Sequence, residues 1–141
     1  MKTPKKNIKK IPKFWKCIPF LETTMASTIY PNIYFLEVDY LDLNSENPSV
    51  RVRSVLIHEE FHLKKWKEIG LIKFAVLYII SKKFRLQQEL LAITEQMKFL
   101  KQNNEVYDIE RKAKHFTGKE YRHLLNIDEA RKVLTDLWGR V

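Results

Sequence analysis

Cysteine, glycine and long apolar runs are scarce in these 141 residues, and each scarcity removes a class of function. The one cysteine, Cys17, excludes an internal disulfide and a cysteine-based metal site; it is compatible with a reducing compartment and reads as a small apolar filler near the domain start. Three glycines argue against a glycine-rich phosphate loop, and the chain carries neither an internal repeat nor a Ser/His/Asp arrangement. The longest apolar stretch, residues 71–80, is interrupted by Lys73 and falls well short of the roughly twenty residues that cross a bilayer. The chain is therefore expected not to be transmembrane. With no segment patterned like a secretory signal, the default expectation is cytoplasmic.

Acidic residues are missing from the first sixteen positions, where Lys2, Lys5, Lys6, Lys9, Lys10, Lys13 and Lys16 supply seven of the nine net positive charges, leaving +2 for the rest. Broken by Pro4, Pro12 and Pro19, residues 1–19 read as a flexible basic arm, anchored at its end by Phe14 and Trp15, ahead of a single domain over residues 20–141. Such an arm is suited to weak contact with nucleic acid or an anionic surface. Hydrophobic residues at 45% and aromatics at 12% provide enough apolar material for one core.

The densest chemistry lies in His58-Glu59-Glu60-Phe61-His62. Histidines at i and i+4 leave one face of a helix, so both imidazoles can reach one zinc ion at about 2.0–2.1 Å. Glu59, beside that face, is placed to act as general base toward a zinc-bound water. The spacing predicts a helix over residues 48–69, with Asn47-Pro48 as its start and Gly70 as its stop. On that helix His58 shares its face with Val55, His62, Trp66 and Ile69, while Glu60, Lys64 and Lys67 point to solvent, Glu60 and Lys64 as an i, i+4 pair.

A third ligand is sought downstream. Residues 84–100 lack glycine and proline and carry the apolar stripe Leu86, Leu90, Ile93, Met97 and Leu100, a second predicted helix. Glu89 lies at the edge of that stripe and Glu95 opposite it, so Glu89 faces the core, where coordination would offset the cost of a buried carboxylate. The alternative is an ordinary salt bridge from Glu89 back to Arg85. Glu68 lies on the wrong flank to serve. Ala92, one turn beyond Glu89, allows close approach of the two helices.

With these motifs the chain resembles the gluzincins, zinc peptidases whose His-Glu-x-x-His helix is completed by a glutamate from a later helix. Within that group it is similar to the very small members found in bacteria and their phages. The resemblance spans residues 23–134 and includes Ile29-Tyr30, residues 33–40, residues 71–80 and the spacing of Arg85, Glu89 and Ala92. It departs at Glu60, a position usually uncharged in this signature. The resemblance implies one zinc ion per chain on His58, His62 and Glu89, with Glu59 as general base, a protein or peptide substrate, and action in a host cell if the chain is phage-encoded. With Glu89 as a ligand, the position of Arg85 suits it to orienting that carboxylate. Tyr121 and His123, and after them His115, are the candidates for stabilising the oxyanion. The same ligands could hold another divalent ion.

The expected fold is α+β: a small N-terminal β-sheet followed by a mainly helical, zincin-like core. Strands are predicted over residues 26–30 and 32–40, broken at Pro31, one of them either pairing with substrate backbone or simply roofing the core. Residues 71–80 read as a buried helix returning Glu89 to the histidines. Further helices are predicted over 106–115 and from Asn126, with Glu129 completing a capping box, to Trp138. The rival to the zinc-dependent metallopeptidase is a nucleic-acid-binding accessory protein that uses the basic arm, its metal site structural or degenerate.

Overall fold

In the computed structural model the described residues are 5–17, 26–118, 121 and 123–141, the side chains of 16 and 17 excepted. The expected packing of the Cys17 side chain lies outside them. Alternation decides the sheet: Ile33 and Phe35 of β3 (Asn32–Phe35) are buried while Asn32 and Tyr34 are only half-buried, the period of two that a strand with one inward face requires. β3 is central. β2 (Ala26–Ile29) runs antiparallel to it across Tyr30-Pro31, a cis peptide bond, with Ala26 opposite Phe35 and Ile29 opposite Asn32. β1 (Ile8–Lys10) lies parallel on the other side, with Ile8 opposite Ile33.

That last pairing bears on residues 8–10 of the segment read as a basic arm, the ends of which lie outside the described residues. Backbone hydrogen bonding draws residues 8–10 into the sheet, and Lys10 is paired with Glu37 at 3.0 Å. Of the two expected anchors, Trp15 is buried against Tyr34, ring centroids 4.8 Å apart, whereas Phe14 is exposed.

The predicted strand over 32–40 ends early because residues from 37 onward turn into α1 (Glu37–Leu43). Glu37 and Asp39 in its first turn favour the positive end of a helix dipole, and buried Asp39 bonds Arg51. Asp42 accepts from both the backbone N–H and the hydroxyl of Ser49, at 2.9 and 2.5 Å. Ser49 in turn caps α2 (Val50–Ile69) by accepting from Val52, so the helix begins two residues later than Asn47-Pro48 suggested.

From α2 the chain zigzags through α3 (Leu71–Ile80) and α4 (Lys82–Gln102) across the single residues Gly70 and Ser81. Gly70 has φ of 101°, a backbone state that favours glycine, and its N–H bonds the Trp66 carbonyl. Ser81 caps α4 by accepting from Phe84. α2 and α4 are the most extensively packed pair and run antiparallel: Gln96 donates to Ser54, while His58 meets Glu89 nearer the other end. Fully buried Ala92 permits that approach.

The expectation of a buried helix over 71–80 is corrected in part. Phe74 is buried among Trp66, Tyr78 and Phe84, but Leu71, Ile72, Val76, Ile79 and Ile80 are exposed, because the helix lies at the periphery and packs along one side only.

α5 (Ile109–Thr117) starts later than predicted since Asp108 caps it by accepting from Arg111. α6 (Ile127–Arg140) opens on the expected Asn126/Glu129 capping box. These helices join the second half of α4 in an apolar core of Ile93, Met97, Leu100, Phe116 and Leu134, while Ile33, Phe35, Val52 and Leu63 form another under the sheet. The architecture is α+β, a three-stranded sheet followed by helices. Among the described residues no helix is long and apolar enough to cross a membrane.

Candidate metal centre

The helix over 50–69 places His58 and His62 on its buried face, and α4 brings Glu89 to them, only 2% exposed. His58 Nε2 and His62 Nε2 are 3.2 Å apart; His58 Nε2 is 3.4 Å from Glu89 Oε2, and His62 Nε2 is 3.1 Å from Oε1. Tetrahedral ligands at the usual zinc distances of about 2.0–2.1 Å lie about 3.3–3.4 Å from one another. The two imidazole nitrogens already have the spacing of two corners of such a tetrahedron, and the Glu89 carboxylate brings a different oxygen near each of them, with one donor atom from each residue lying within 4.8 Å of the others. Two imidazoles and a carboxylate are also a donor set that zinc accepts. Among the described residues no other group of three or more His, Cys, Asp or Glu side chains has comparable closeness.

Protonation follows the same logic. Burial lowers the pKa of His58, so its ring favours the neutral, ligating form. Burial also opposes charge on His62, but the neighbouring Glu89 carboxylate outweighs it and raises that pKa. For Glu89 burial would favour the neutral acid; His62, Lys112 and the histidine hydrogen bonds prevail and hold it well below the usual carboxylate range. The metal-free cluster therefore sets a carboxylate held toward its ionised form beside His62, whose affinity for a proton is raised and with which a bound cation would compete. The Nδ1 atoms of both histidines are buried and find no hydrogen-bond partner among the described residues.

Around the cluster lie groups that sequence reading did not single out. Tyr78 of α3 donates its hydroxyl to Glu89 Oε1 at 2.6 Å, and burial, then the Glu89 charge, raises its pKa well above normal, keeping it a donor. Its signal was faint, a lone hydroxyl in the apolar run 71–80. Lys112 of α5 approaches Glu89 Oε2 at 3.5 Å and donates to Tyr121 Oη at 2.8 Å. Thr28 of β2 donates to Glu59 Oε2 at 2.7 Å. Neither residue announces itself in sequence, since each meets its partner only through tertiary packing.

Arg85, offered either as a salt-bridge partner of Glu89 or as its orienting group, donates to the carbonyls of Tyr78 and Ile79 at 2.6 and 3.3 Å. It fixes the end of α3 that carries Tyr78. Glu68 pairs with Lys64 and Lys65, remote from the histidines.

A cleft of about 430 Å³ opens onto His58 and Glu59 and is lined also by Lys112, His115 and Tyr121. Tyr121 thus joins the site, with burial and then Glu89 raising its pKa well above normal. His115 borders the same cleft. His123 does not: it is exposed and lines a separate cavity with Leu125 and Arg131. No protein-family model, curated protein or solved structure matches the chain.

Proposed function

We propose that the chain is a zinc-dependent metallopeptidase, with His58, His62 and Glu89 holding the metal. The observation that carries this reading is the buried cluster in which His58 Nε2 and His62 Nε2 lie 3.2 Å apart and each lies within 3.1–3.4 Å of a Glu89 carboxylate oxygen, with Glu59 beside it. Zinc bound there would polarise a substrate carbonyl and make a water nucleophilic near neutral pH. The chain's own groups divide the remaining work. Glu59 accepts the proton of the attacking water and delivers it to the leaving amine, its Oε2 held by Thr28 so that Oε1 is left for the water. Tyr78 and Lys112 fix the carboxylate of Glu89. Because Tyr121 Oη accepts from Lys112, its own proton is available to the carbonyl oxygen as negative charge develops.

β2 is an edge strand tied to the site through Thr28, and an extended peptide adding along it would bring its backbone past Glu59 into the cleft. This supports the substrate-pairing role for the strand. The nucleic-acid reading has less support, since β1 takes part of the basic segment into the sheet and Glu37 pairs with Lys10.

Elemental analysis of purified wild type, Glu89→Ala and His58→Ala tests the proposal. The expected result is about one zinc per wild-type chain, lost in both variants. Glu59→Gln should retain zinc while hydrolysis of a mixed peptide library falls by about 10²–10⁴-fold. Wild type without zinc after reconstitution overturns the reading.

A further inference from the structure

The outer side of α3 departs from ordinary surface chemistry. Ile72, Val76, Ile79 and Ile80, spaced i, i+4, i+7 and i+8, occupy one stripe about 100° wide, and Ile72 and Ile80 are 81% and 71% exposed. Lys73 on the helix, Lys67 before it, and Lys82 and Lys83 just after it are all exposed. Lys10 pairs with Glu37, Lys64 and Lys65 with Glu68, and Lys98 with Glu95, whereas Lys67, Lys73, Lys82 and Lys83, like several lysines elsewhere on the surface, make no ion pair among the described residues. What sets these four apart is their place beside an aliphatic stripe in a stretch, residues 69–88, that contains no acid at all.

We propose that this face docks on the surface of an anionic phospholipid bilayer. An aliphatic stripe with unneutralised lysines at its margins matches acyl chains below and phosphate headgroups at the rim, where long lysine side chains reach the polar layer. The ten-residue helix is too short to span and is suited to lying in the interface. A second copy of the chain fits poorly, since a two-fold contact through this face would bring the same lysines together. The opposite side of α3 carries Phe74 and Tyr78, so docking leaves the hydrogen bond to Glu89 on the protein side. The proposal does not depend on metal binding or on peptidase activity.

Co-sedimentation of the full chain with phosphatidylcholine vesicles, with and without phosphatidylglycerol, tests it. Binding is expected only with phosphatidylglycerol, weakening as salt is raised. The double variant Ile72→Ser, Ile80→Ser should bind at least about tenfold more weakly. Lys73→Gln, Lys82→Gln and Lys83→Gln together should reduce binding by a comparable factor. All of these positions are exposed, so the variants should keep the wild-type circular dichroism spectrum and melting midpoint. Absence of binding to anionic vesicles, equal binding to neutral ones, or retention by the serine variant would overturn the proposal. So would a concentration-dependent dimer abolished by the serine variant, which would assign the face to self-association.

Discussion

Along α4, the first turns bury Arg85, Gln88 and Glu89, whereas later turns bury Ile93, Met97 and Leu100. One helix therefore contributes to two interiors of opposite chemistry. The apolar half gains stability in proportion to the area it removes from water. The polar half must satisfy each group it buries, and a well-packed aliphatic replacement of such a cluster is often neutral or stabilising. Stability thus explains the second half of α4, while the first half is accounted for by the metal site proposed above.

Separate substitutions should break the two halves independently. Glu89→Ala should abolish zinc retention, read by elemental analysis, yet preserve the helical circular dichroism spectrum. Met97→Ala should do the reverse, lowering unfolding free energy by about 2–5 kcal/mol in denaturant melts while folded chains keep their zinc. Tyr78→Phe, which removes only the hydroxyl that holds Glu89, should weaken zinc by about 10–100-fold in a competitive chelator titration.

The contrast sharpens with pH. In the metal-free chain, Glu89, with its pKa depressed, stabilises the fold above the ordinary carboxylate range and loses that contribution as pH falls through its folded value. His62, with its pKa raised, contributes fully below its unfolded value and loses that contribution as pH rises through its folded one. His58, with its pKa lowered, opposes folding once its unfolded form takes up a proton. Zinc must displace the His62 proton, so affinity should weaken as pH falls through the raised pKa, measured by isothermal titration calorimetry across pH. Acid should leave the Met97 region without a corresponding ionisable loss. Gly70→Ala should lower unfolding free energy in denaturant melts by about 1–3 kcal/mol, less than Met97→Ala and from backbone strain alone, since an added Cβ would meet nothing within 4 Å.

The motif helix, the core-facing position of Glu89 and the capping box at Asn126 were legible because each depends on spacing within one segment. α1 was not: Leu36 makes no side-chain cap bond, and the β-branched and aromatic residues of 32–40 favour an extended reading until the helix dipole and Arg51 weigh in. The run 71–80 concealed its exposure for a different reason. Apolar composition reports a preference for burial, but only the arrangement of neighbours decides how many sides of a helix they cover. Thr28 and Lys112 reach Glu59 and Glu89 across 31 and 23 residues of sequence, distances over which local pattern carries no information.

The one-residue joints at Gly70 and Ser81 give the cluster a reading frame. With a single residue at each corner, the azimuth of α4 relative to α2 is counted out in peptide units, and there is no loop in which a surplus unit could be absorbed. One residue inserted between Ser81 and Glu89 would turn the carboxylate by about 100° and advance it by about 1.5 Å, away from the two histidines. The same insertion in the longer segment between α5 and α6 would leave that count unchanged. Substitutions along these helices leave the count from His62 to Glu89 intact, so the cluster is more sensitive to an added or lost residue in that stretch than to most exchanges of side chain.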